Sequence, residues 1–224
     1  MALFVLAVAM SAYTSIDEPS RVETIIAERR EAHVRVLRQC GTKKLCLRKP
    51  GVSQKTDAEL PMGSPLRRWS EAQVDSVTVW IAPGEPVPLW QAANRTMVRD
   101  AFHAWSAAGA PVRFVFVPDS THADVRVVWS DLLADGRAGQ VTRFTDARGW
   151  VRSALMEMST RNLGGGAQDT LTVRAVALHE VGHLLGLEHS HDERDVMAPW
   201  VVAGSLTRRD RAAMRTLYGV GAAE

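Results

Sequence analysis

The chain has 224 residues, 46% of them hydrophobic and 23% charged, and carries a formal net charge of +2. That length suits one domain, or one domain with an added segment, and the apolar content supports a packed core rather than a disordered chain. So small a charge creates no overall field and argues against a dedicated nucleic-acid binder, and two cysteines are too few for a disulfide-built scaffold.

Met1 to Ala12 is apolar but shorter than the ~20 residues that cross a bilayer, so no stable membrane insertion is expected. The run suits a secretory signal peptide over residues 1–15, with Ala7, Ala9, Ser11 and Ala12 as cleavage points, which predicts a secreted (extracellular or periplasmic) protein. No Lys or Arg precedes it, so the competing readings are a true start further upstream, or a buried strand or helix. Residues 16–66 read as a basic pre-domain or propeptide-like segment and linker. Arg29, Arg30, Arg35, Arg38, Lys43 and Lys44 lie among Ile25, Ile26, Val34 and Leu37 at loosely helical spacing, which suits a solvated helix and loop. Gly51, Ser53, Pro61 and Gly63 then mark the linker, and the main domain, residues 67–224, begins near Arg67 or Trp69.

Val77 to Ile81 is a β-branched and aromatic run closed by Pro83-Gly84, and reads as a strand. Leu89 to Ala108 places Met97, Ala101 and Trp105 at four-residue steps beside Val98 and Phe102, one apolar face of a helix. Strands follow at Arg113 to Val117 and Ala123 to Trp129, with weaker ones near Val141 to Phe144 and Val151 to Met158. Gly164 to Gly166 breaks the chain before a long apolar helix from Leu171 to Leu187. A last helix is marked by capping-box spacing of Thr207 and Asp210, and Gly219 ends it. The plan is α/β (α+β), built around one sheet.

The chemistry concentrates in His179-Glu180-Val181-Gly182-His183-Leu184-Leu185-Gly186-Leu187-Glu188-His189. Four residues apart on a helix, His179 and His183 share a face and can offer ring nitrogens to one point. A continuing helix carries His189 off that face; Gly186, free to adopt positive φ, supplies the turn that returns it. Three neutral imidazoles suit one catalytic Zn²⁺ with an open position, and three buried imidazoles without a metal leave polar groups unpaired. Glu180, next to the first ligand, can reach a water polarised by the metal, take its proton and deliver it to a departing amine. His191 is the rival ligand with poorer spacing, and His33, His103 and His122 read as ordinary polar residues.

This pattern is the metzincin signature, and the chain resembles the matrixins (matrix-metalloproteinase-like metzincins) from about Trp69 to Gly219. The strongest match is His179 to Ser190, followed by Asp195-Val196-Met197-Ala198-Pro199; Ala101 to Ser106, Ala123 to Val127 and Leu217-Tyr218-Gly219 match more weakly. The resemblance implies a metzincin (zincin-like) catalytic domain with a mixed, mainly parallel five-stranded sheet, three helices and a zinc cleft. It also implies a peptide or protein substrate paired with an edge strand near Val141 to Phe144, and gives Met197 the place of the Met-turn methionine beneath the metal; core packing alone also accounts for Met197.

Several departures from the family stand out. Members usually carry a second, structural zinc and calcium between Trp129 and Glu157, but that stretch has no histidine and Arg143 stands about where a ligand is expected. No structural zinc is therefore expected, calcium stays open, and Asp124 reads as a surface aspartate. Ala198, Trp200 and Val201 replace the tyrosine often found around the specificity pocket, so substrate preference does not carry over. Matrixin propeptides place a cysteine thiolate on the metal; Arg38-Gln39-Cys40-Gly41 is faintly similar, and a Cys40–Cys46 disulfide is the favoured alternative. The function expected is a secreted zinc metalloendopeptidase. Its rivals are a zinc-binding module without endopeptidase activity and a narrow-specificity zinc amidohydrolase or peptidase.

Overall fold

The computed structural model describes residues 67–134, 136–201 and 203–220. The signal-peptide, pre-domain and cysteine expectations, and His33, lie outside the described residues. In chain order come β1 (Val77–Ile81), α1 (Ala92–Ala107), β2 (Phe114–Phe116), β3 (Val125–Ser130), β4 (Gly139–Thr145), β5 (Val151–Ser159), α2 (Thr170–Leu185) and α3 (Arg208–Tyr218). The sheet order is β2-β1-β3-β5-β4, with β1–β2, β1–β3 and β3–β5 parallel and β4–β5 antiparallel. The mixed, mainly parallel five-stranded sheet and three helices are as expected, and β4, covering Val141 to Phe144, is an edge strand, with β2 at the opposite edge.

Burial follows the residue pattern. Val77, Val79 and Ile81 on β1 and Val125, Val127 and Trp129 on β3 alternate into the core. In β5 every residue from Ala154 to Ser159 is buried, as befits an inner strand covered on both faces. Helix α1 buries Val98, Ala101, Phe102 and Trp105, and Phe102 meets Phe114 and Phe116 edge-on at 4.9 and 5.8 Å. Helix α2 is buried all round from Ala175 to Gly182, so it runs through the molecule and not over it.

The helix ends obey their caps. Asp169 accepts from Thr172 N at the start of α2, and Thr207 with Asp210 forms the expected capping box of α3. Gly186 (φ 104°) and Gly219 (φ 66°) take the left-handed conformation that ends each helix. Helix α1 begins at Ala92, three residues later than the apolar spacing suggests, because Pro86, Pro88 and a positive φ at Leu89 keep the preceding chain irregular.

Candidate metal centre

His179 and His183 project from the last two turns of α2, and His189 follows the Gly186 turn. The turn is stabilised by two backbone bonds, Gly186 N–H to His183 O and Leu187 N–H to Gly182 O, each 3.0 Å, which reverse the chain after the helix. A side chain at Gly186 would meet Arg67 O at 2.7 Å, so this position needs glycine for space as well as conformation. The three rings thereby converge, with Nε2 of His183 lying 3.0 Å from Nε2 of His179 and 3.3 Å from Nε2 of His189.

Those separations are close to the ~3.3 Å edge of a tetrahedron with ~2.0–2.1 Å metal–nitrogen bonds. Hydrogen bonding on the far side of two rings fixes their chemistry. His179 Nδ1 meets Val196 O at 2.7 Å and His183 Nδ1 meets Leu187 O at 2.8 Å. A carbonyl only accepts, so both Nδ1 atoms carry the proton and both Nε2 atoms present lone pairs to one another. Two such lone pairs 3.0 Å apart repel unless a cation sits between them. Burial lowers the pKa of His179 to about 4 and that of His183 to about 3, which keeps the rings neutral and ready to ligate. The donor set fits one zinc.

Glu180 is buried beside the triad, and burial, opposed by the Arg137 charge, raises its pKa to about 8 before any metal charge is counted. Gly139, at the start of the edge strand, makes room for it: a Cβ there would lie 2.9 Å from Glu180 Cγ and Oε1. The carboxyl group is thus packed between the metal helix and the strand that borders it.

Beneath the rings lies the segment from Asp195 to Ala198, all buried. A Cβ on Gly182, the residue just before His183, would overlap Met197 Sδ, so the sulfur packs directly on α2. Asp210 holds this segment in place, accepting from Val196 N at 3.1 Å, Met197 N at 3.2 Å and Thr207 N at 2.8 Å. Asp195 joins the same network through Ser190 Oγ (2.6 Å) and Thr207 Oγ1 (2.8 Å).

The last carbonyls of α2 are taken up by side chains from three other regions. Trp69 Nε1 donates to Leu184 O at 3.0 Å, Tyr218 OH to Leu185 O at 2.8 Å, and Arg143 Nη1 to His183 O at 3.0 Å. The guanidinium of Arg143 also complements the negative end of the helix dipole.

His179, His183, His189, Glu180, Gly186 and Met197 are therefore gathered at one place. His191 is exposed and stands outside the three-histidine cluster, and His103 and His122 are also exposed. Asp124 departs from expectation. It is half-buried, and its Oδ2 accepts from Thr78 N and Thr78 Oγ1, both at 2.7 Å, stitching the start of β3 to β1. Spacing alone did not reveal Asp210, Gly139, Gly182 or the carbonyl of Val196 as parts of the site. Asp210 was visible as a capping residue, but its reach to the Met197 segment was not.

Comparison with known proteins agrees with this geometry. A sequence profile described as Matrixin matches residues 68–219. The chain is similar to Matrix metalloproteinase-C of Caenorhabditis elegans, 28% identical over 207 residues that cover 80% of this chain and 33% of the relative. It is also similar to Metalloendoproteinase 1-MMP of Arabidopsis thaliana, 33% identical over 138 residues, 56% of this chain and 38% of the relative. A 48-residue stretch is 52% identical to Matrix metalloproteinase-2 of Drosophila melanogaster, covering 20% of this chain and 6% of the relative. The chain spans only about a third of the length of the first two relatives. With the profile covering most of the chain and the histidine cluster standing where the signature requires it, this protein belongs to the matrixin family.

Proposed function

We propose that the chain is a secreted zinc metalloendopeptidase, in which His179, His183 and His189 hold one catalytic zinc and Glu180 is the general base. The observation that carries this reading is the convergence of three Nε2 atoms beside a buried carboxyl group. Zinc at such a site supplies a Lewis acid for the scissile carbonyl and lowers the pKa of water toward ~7. Glu180 takes the proton of the attacking water and passes it to the departing amine. The raised pKa of Glu180 comes from burial, and zinc held by the three histidines would favour its carboxylate form. Met197 forms the floor under the ligands, and Gly186 makes the turn that brings His189 to them.

An extended peptide lies along β4, the edge of the sheet, whose outer backbone groups suit strand addition. Its scissile bond then falls near Glu180, since Gly139 at the head of β4 packs on that side chain. Residues 67–224 form the catalytic domain and residues 16–66 a propeptide-like segment. Export is supported by the pattern of Met1 to Ala12, and no described helix is long and apolar enough to cross a membrane.

The test is a peptide library with and without chelator, using wild type and Glu180→Gln. Internal cuts that chelator abolishes are expected. The variant should retain one zinc while turnover falls ~10²–10⁴-fold, the usual worth of a general base. Terminal trimming alone, or a zinc-loaded variant with full turnover, would refute the assignment.

A further inference from the structure

Arg143 stands on β4, yet its side chain is turned in toward the end of α2 and is 13% exposed. Nη1 donates to His183 O at 3.0 Å and Nη2 to Glu188 Oε1 at 3.0 Å. One planar fork therefore joins the backbone of the second histidine to the side chain immediately before the third. It spans the whole Gly186 turn from outside. Glu188 is 45% exposed at its side chain, so the ion pair adds little to overall stability. What it fixes is geometry.

His189 is the histidine that follows the turn this fork spans. His179 and His183 ride on a buried helix, and their Nδ1 atoms are braced by Val196 O and Leu187 O. His189 is exposed and reaches the shared point through irregular chain. We propose that Arg143 is a positioning residue for the third metal ligand, holding residues 186–189 back against α2 so that His189 Nε2 stays within reach of the other two. The role rests on the reading of the histidine cluster as a zinc centre. It also links two parts of the site mechanically, because the backbone of Arg143 belongs to the strand proposed to receive substrate.

Wild type, Arg143→Met, Arg143→Lys and Glu188→Gln are titrated with zinc against a chromophoric chelator, and the visible absorption of each cobalt(II) derivative is recorded. Wild type should take one zinc. Arg143→Met should bind it ~10–100-fold more weakly, the usual effect of losing a group that orients a ligand, with a changed cobalt spectrum. Arg143→Lys keeps the charge without the fork, and Glu188→Gln keeps an acceptor without the charge; both should fall between the two. Affinities within twofold of wild type, with superimposable cobalt spectra, overturn the positioning role and leave the metal centre standing, even if Arg143→Met unfolds at a lower temperature. If Arg143→Met does not fold, the other two variants decide by the same criteria. Failure of wild type to take up zinc overturns the metal reading itself, and the positioning role with it.

Discussion

The two helical histidines and the third one are held by different means. His179 and His183 stand on a helix buried from Ala175 to Gly182, where backbone hydrogen bonding fixes their spacing. His189 stands on an exposed turn, and long-range contacts from Arg143 and the network around Asp195 set its neighbourhood. The helix makes half of the site rigid as part of the core. The turn holds the other half by a few bonds near the surface, its two backbone bonds and the Arg143 fork. The two halves of the histidine cluster are therefore built by different parts of the fold, one by the core and one by contacts across the turn.

Substitutions that break this contrast differ in size. The largest effect is expected at Asp210, whose carboxyl group supports Val196 and, through Val196 O, His179. Asp210→Ala strips buried amides of a charged acceptor and should cost ~3 kcal/mol in denaturant unfolding. Next, His179→Ala and His189→Ala are compared in chelated protein. The first removes a buried ring and its bond to Val196 O, for ~2 kcal/mol; the second removes an exposed ring and should stay within ~0.5 kcal/mol. Equal losses would show that the third histidine is as deeply built into the fold as the first. Gly186→Ala should cost ~1–2 kcal/mol, since alanine is strained at φ 104° and its methyl meets Arg67 O.

A last effect concerns pH, followed in chelated protein so that these groups titrate without a metal charge beside them. Between pH 8 and 6.5 the folded state takes up the Glu180 proton while the unfolded carboxylate, near 4.5, does not. Stability therefore rises as pH falls through that window. Below 6.5 unfolded imidazoles bind protons that His179 and His183 refuse until about 4 and about 3, so stability falls again. A maximum near pH 6.5 is expected in unfolding curves, and Glu180→Gln should flatten its alkaline side.

The parts of the molecule legible from sequence are those determined by near neighbours. The bounds of β1 at Val77 and Ile81 follow from one β-branched run, and the start of α3 from Thr207 and Asp210. The histidine cluster was legible for the same reason, since i, i+4 spacing and a glycine turn are local facts. Asp124 misled because a lone aspartate on a weak motif gives no sign that Thr78, forty-six residues earlier, will clasp it. Arg143 drew notice only as a departure from the family pattern. Its partners, His183 O and Glu188, are forty and forty-five residues away in the chain, and only the pairing of β4 with β5 and the packing of α2 bring them near.

The side chains that receive the final carbonyls of α2 come from opposite limits of the described domain: Trp69 near its beginning and Tyr218 near its end, with Arg67 O pressed against Gly186. Both limits of the domain are thus anchored behind the ligand-bearing turn. Arg67, the first described residue, thus lies with its carbonyl against the turn that precedes His189. A strain placed on the backbone at Arg67 has Gly186 as its first neighbour across the fold.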